Sequence, residues 1–60
     1  MFAEITRELF VHLVSGQIVD CVEEYDTYCK HYVTVHGVCL MKLTNYVSGV
    51  VQYYIRDINA

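Results

Sequence analysis

Ten Val, four Ile and four Thr stand among sixty residues, with six Tyr, no Pro and three Gly. Ala appears twice and Leu four times. A side chain branched at Cβ keeps one strongly preferred χ1 setting in a helix, whereas it packs well on a pleated surface. Residues 2–9 have fair helix propensity, and from residue 10 onward the chain favours strands. The spacing alone also permits helices. Phe2, Ile5, Leu9, Phe10 and Leu13 could line one face, as could Ile18, Cys21, Val22, Tyr25, Cys29 and Tyr32. With Leu43, Tyr46, Val47, Val50, Val51, Tyr54 and Ile58 as a third set, an all-α three-helix bundle is the alternative fold.

The turn signals favour strands. Ser15-Gly16 and His36-Gly37 each separate runs of β-formers, and Gly accepts the positive φ that a two-residue hairpin loop requires. With His36-Gly37 as the loop, Val35 faces Val38 and Val33 faces Leu40 on one side. Tyr32, Thr34, Cys39 and Met41 then take the other side, and His31 sits opposite Lys42. A hairpin at Ser15-Gly16 would set Leu13 against Ile18 and Leu9 against Val22, with Asp20 intruding among them. The expected fold is α+β: a short N-terminal helix near residues 2–8, then an antiparallel small barrel of four to five strands. The strands are expected near 9–14, 17–25, 29–35, 38–44 and 50–58, with further turns at Asp26-Thr27 and from Asn45 to Gly49. Residues 1–60 form a single small domain.

A chain this short buries only about 60% of the surface its unfolded form exposes. At 55% hydrophobic the sequence is too apolar for a disordered tail. Such a chain covers its remaining apolar surface with a partner, so a homo-oligomer, dimer or ring, is expected. A barrel with an exposed edge strand points the same way.

Charge is uneven. Residues 1–26 carry Glu4, Glu8, Asp20, Glu23, Glu24 and Asp26 against Arg7, whereas residues 27–60 carry Lys30, Lys42 and Arg56 against Asp57. The net charge of −3 makes a poor general binder of phosphate backbone. Glu4, Arg7 and Glu8 interrupt the apolar start that a secretory signal needs. The longest uncharged run, between Lys42 and Arg56, is shorter than the roughly 20 residues of a membrane span. A soluble chain with no membrane partner is expected. Cys21, Cys29 and Cys39 are odd in number and lack a C-x-x-C pair, which suits free thiols in a reducing cytoplasm.

Cys29, His31, His36 and Cys39 are residue types that zinc accepts. In the hairpin, however, Cys29 and His31 point to one side and Cys39 to the other, so no metal or other cofactor is expected. A Cys–His nucleophile needs a cleft and an orienting group, which a chain of this length seldom forms. Neither a Gly-rich phosphate loop nor H-E-x-x-H occurs, so an enzyme is not expected. The acidic group Asp20, Glu23, Glu24 and Asp26 is either a solvated face or a docking patch for a basic partner surface. Tyr rings with a polar tip suit interfaces, and Tyr53 and Tyr54 join the acids as candidate partner-binding residues.

The chain also resembles the Sm-like family, which includes the bacterial Hfq proteins. The first family motif resembles "LVSGQIVDCVEEYDTY": an apolar strand, a turn at Gly16, a second strand, then Tyr25, Asp26 and Tyr28. The second resembles "YYIRDINA", with Ile55-Arg56 as the matching pair. Cys21 stands nearest the place of a family Gly in the second strand, and Asp57 replaces the Gly after Arg56. The resemblance implies a short helix followed by a bent five-stranded barrel, an oligomeric ring, and RNA held near Tyr28, His31, Lys42 and Arg56.

Two functional classes follow. The first is a non-enzymatic regulator that oligomerises and binds a partner protein, an inhibitor or adaptor of the sort compact viral genomes encode. The second is the RNA-binding ring. A helical DNA-binding dimer lacks the basic recognition helix it would need.

Overall fold

The computed structural model of the chain describes residues 1–15 and 19–56. It is an antiparallel five-stranded sheet with one short helix, and no helical bundle. The elements run β1 (Phe2–Ile5), α1 (Arg7–Leu13), β2 (Cys21–Glu24), β3 (Tyr28–Val35), β4 (Val38–Asn45) and β5 (Val51–Arg56). Across the sheet the order is β1-β5-β4-β3-β2. Strands β2 to β5 thus form a meander, and β1 crosses the molecule to pair with β5. Among the described residues no helix is long and apolar enough to cross a membrane.

The β3–β4 hairpin has the expected register. Val35 pairs with Val38, Val33 with Leu40, Tyr32 with Met41 and His31 with Lys42. His36 and Gly37 both take positive φ, 51° and 78°. Two consecutive left-handed residues make a type I′ turn, whose twist matches that of the flanking strands. The second expected turn also forms, built around Asn45. Its side-chain Oδ1 accepts from the backbone N–H of Val47 (2.9 Å) and Ser48 (3.0 Å), and Gly49 supplies a positive φ of 75°.

The N-terminal third differs from expectation. Residues 2–5 are a strand, and the helix lies over residues 7–13, where a strand was expected from residue 9. Thr6 is the reason for the helix start. It holds an extended backbone, and its hydroxyl accepts from the Leu9 N–H at 3.2 Å, which satisfies a donor the first helical turn leaves open. Glu8 in the first turn and His12 in the last complement the helix dipole. With Leu9 and Leu13 inside this helix, the hairpin drawn at Ser15-Gly16 does not hold. Val22 pairs with His31 and not with Leu9. The partner assigned to Leu13, Ile18, lies outside the described residues, as do Gly16, Asp57 and Ile58. The strand expected over 17–25 is described as Cys21–Glu24.

Alternation along each strand sorts the side chains onto two faces. Val33, Val35, Val38, Leu40, Tyr53 and Ile55 share one face by register. The helix covers it: the Phe10 ring sits 4.8 Å from that of Tyr53, and Leu13 meets Val35, Val38, Leu40 and Ile55 around an apolar cavity of about 180 Å³. The opposite face carries Tyr32, Met41 and Tyr54. There the Phe2 and Tyr32 rings approach to 6.4 Å, although β5 and β4 lie between their strands. A flat sheet would set those strands roughly 14 Å apart, so the sheet's curl and the reach of both side chains close the rings over Met41. Among the described residues the buried apolar side chains are Phe10, Cys29, Val33, Leu40 and Met41, a small core, and eleven large hydrophobic residues are exposed.

Candidate interaction surface

The acids gather along one edge of the sheet. Strand β2 is exposed at all four residues, and among the described residues it pairs with β3 alone. Asp20 precedes it and accepts from the Thr34 N–H at 2.6 Å, so this carboxylate finishes the β2–β3 ladder. Glu23 accepts from two hydroxyls, Tyr25 at 3.4 Å and Tyr32 at 3.3 Å. Glu24 points to the helix-bearing face and accepts from the Tyr46 hydroxyl at 3.0 Å. Asp26 lies in the exposed turn to β3. Glu23 and Glu24 therefore take their hydrogen bonds from neutral hydroxyls. Lys30, opposite Glu23 in the register, leans over the Tyr28 ring with Nζ 5.8 Å from its centroid.

These hydroxyls respond electrostatically. The charge of Glu23 is the largest influence raising the Tyr25 pKa above 10.0. For Tyr32 burial comes first and Glu23 second. The Tyr46 phenol is pushed up to about 12, chiefly by its hydrogen bond to the Cys29 thiol and then by the one to Glu24. Each neighbour opposes the phenolate form.

An apolar surface adjoins the acidic edge at the end of the sheet away from the hairpin tip. The Tyr46 N–H donates to the Thr27 carbonyl at 2.8 Å, which ties the β4–β5 loop to the β2–β3 turn. Tyr25, Tyr46, Val47 and Val50 are exposed there, Val47 at 80%, with Val51 next along β5. The Tyr25 and Tyr28 rings stack at 4.5 Å.

The residues expected to bind a partner separate into two groups. Asp20, Glu23, Glu24 and Asp26 follow the β2 edge. Tyr53 and Tyr54 lie on β5, three strands away, Tyr53 under the helix and Tyr54 on the opposite face. The RNA set separates as well. His31 and Lys42 share the helix-bearing face, whereas Tyr28 and Arg56 belong to the other. Tyr25, Tyr46, Val47, Val50 and Lys30 were not among the expected site residues. Apolar residues flanking a Ser-Gly turn were the available signal at Tyr46, Val47 and Val50.

Cys29 and His31 meet, Sγ to Nδ1 at 3.6 Å, but the thiol is only 2% exposed beneath Tyr46. The apolar cavity lies at the other end of the sheet, lined by Leu13, Val35, His36, Val38, Leu40 and Ile55. Cys39 faces away from Cys29, and His36 sits in the hairpin turn. Among the described residues no three of His, Cys, Asp or Glu are gathered to hold a metal ion.

No known protein family, characterised protein or solved structure matches the chain.

Proposed function

We propose that the protein is a non-enzymatic interaction module, an inhibitor or adaptor that self-associates and binds a partner protein. The observation that carries this reading is the exposed apolar end formed by Tyr25, Tyr46, Val47 and Val50 beside an acidic sheet edge. With five buried apolar side chains among the described residues, the fold has little stability to spare. It gains from covering the apolar side chains that wrap this end of the sheet, with Tyr25 bonded to Glu23 on one face and Tyr46 to Glu24 on the other, and exposed apolar patches mark interaction sites. Two copies associating through this end would bury Val47 and Val50 and leave the acidic edge of β2 for another protein.

An RNA-binding reading draws on the Tyr25–Tyr28 stack with Lys30 above it, since bases stack on such rings when a cation is near. Glu23 and Asp26 beside that stack oppose a phosphate backbone, which favours a protein partner.

Sedimentation velocity of the wild type and of Val47→Asp/Val50→Asp tests self-association. The expected result is a concentration-dependent oligomer that the double variant loses while keeping its circular dichroism spectrum. Labelled U-rich and A-rich RNA at low salt should show no binding. A strictly monomeric wild type, or tight salt-sensitive RNA binding, would overturn the reading.

A further inference from the structure

We propose that the outer edge of β2 accepts an extended basic segment of a partner protein as a sixth strand. This rests on the protein-binding reading above and names the chemistry of the partner. The backbone comes first. Tyr25 N–H bonds to the Tyr28 carbonyl at 2.9 Å, so in the antiparallel ladder Tyr25 and Glu23 turn their polar groups toward β3. The alternating residues Val22 and Glu24 then turn theirs away from the sheet. Among the described residues nothing pairs with those outward groups, which opens them to an added strand, the β-augmentation mode of recognition.

The charges choose the guest. In an antiparallel pairing of β2 with β2 of a second copy, one register sets Glu23 against Glu23 and another sets Glu24 against Asp20. Like charges directly opposite are destabilising. The other edge among the described residues, β1, presents Glu4. A second copy is thus a poor occupant of this edge. A strand with Lys or Arg opposite Glu23 and Glu24, and an apolar residue opposite Val22, complements both faces. Tyr25 and Tyr46, both exposed, flank that path. Opposite charge also speeds encounter with a basic segment.

The test uses three fluorescein-labelled eight-residue peptides. One carries a central Lys-Lys-Val run, to lie opposite Glu24, Glu23 and Val22 in an antiparallel pairing, one carries Glu-Glu-Val in its place, and one repeats the Lys peptide with alternate backbone amides methylated. Binding is read by anisotropy and by nitrogen-15 amide shifts. The Lys peptide should bind with an affinity that falls as salt rises, shifting the Val22 and Glu24 amides most. The Glu peptide and the methylated peptide should each bind at least tenfold more weakly. Val22→Pro should weaken the Lys peptide about tenfold, since it deletes an outward donor and leaves the β3 ladder whole. Should that variant unfold, Glu23→Lys/Glu24→Lys decides, because it should reverse the preference between Lys and Glu peptides. Equal binding of the methylated peptide, shifts centred on β1, or no Lys-peptide binding by protein with native amide spectra would overturn the proposal. The oligomer measurement with Val47→Asp/Val50→Asp does not involve β2, so failure of the edge proposal and failure of the protein-binding reading appear in different experiments.

Discussion

The carboxylate of Asp20 and the backbone N–H of Thr34 lie 2.6 Å apart, a side chain completing a ladder where the backbone of β2 ends. Asp20 also takes part in the backbone pairing through its own N–H, which donates to the Tyr32 carbonyl at 2.8 Å. An acid that reads in sequence as charge on a solvated face thus anchors the edge strand.

Asp20→Ala should therefore cost about 1 kcal/mol, the net value of an ordinary hydrogen bond, because solvent screening at this exposed site offsets the extra strength of a charged acceptor. In a chain of this size that lowers Tm by roughly 5 °C. Denaturant titration and hydrogen exchange at the Thr34 amide report it. Unchanged exchange at Thr34 would mean the bond does not persist in solution.

The β3–β4 turn gives a pair of opposite predictions. Gly37 holds a φ of 78° with open space where a Cβ would stand, so Gly37→Ala carries only a conformational cost, about 1 kcal/mol. His36, at φ 51°, is a non-glycine residue in the same region. Asn tolerates it better, and His36→Asn should stabilise by a few tenths of a kcal/mol, on the order of 0.5. Urea midpoints moving in the same direction for both variants would contradict the type I′ geometry.

This hairpin was legible in the sequence because its information is local. A two-residue loop fixes the register of sixteen flanking residues, and alternation then assigns each side chain to a face. The N-terminal third was not. Phe2–Ile5 becomes a strand by pairing with Val51–Arg56, some fifty residues away, and no local pattern announces that. Val11 favours a strand by type, yet the Thr6 cap and the burial of Phe10 against Tyr53 hold it in a helix. The site followed the same rule. His31 opposite Lys42 could be read from the hairpin. The side taken by Arg56 depends on the register of β4 with β5, set by the Asn45-centred loop, and that register places Arg56 on the face away from Lys42.

Leu40 is 1% exposed at the centre of the helix-bearing face. Leu40→Ala should cost about 2–5 kcal/mol in lost transfer energy and residual cavity. A domain of this size has only about 3–5 kcal/mol of its own, so most of the variant should be unfolded at room temperature by circular dichroism. Leu40→Met keeps the volume and should cost less than about 1.5 kcal/mol. A folded Leu40→Ala protein would show that assembly supplies more of the stability than the single chain does.

Tyr46 predicts how the protein fails in alkali. Its phenol is raised from 10.0 to about 12 by the Cys29 and Glu24 contacts, so the folded state holds the proton more tightly than the unfolded chain. The stability this contributes is whole below pH 10 and is lost as the pH climbs from 10 toward 12, where the unfolded chain has already released its proton. Tyr25 and Tyr32 are shifted in the same direction and add to the decline. Urea titrations across this window should show the midpoint falling with pH, and more gently for Tyr46→Phe, which has no proton to lose. The difference in phenolate absorbance between wild type and Tyr46→Phe isolates the one group. If that difference titrates at the same pH in the folded and the urea-unfolded protein, Tyr46 is not held against Cys29 and Glu24, and the loop carrying Val47 and Val50 is not pinned to the end of the sheet.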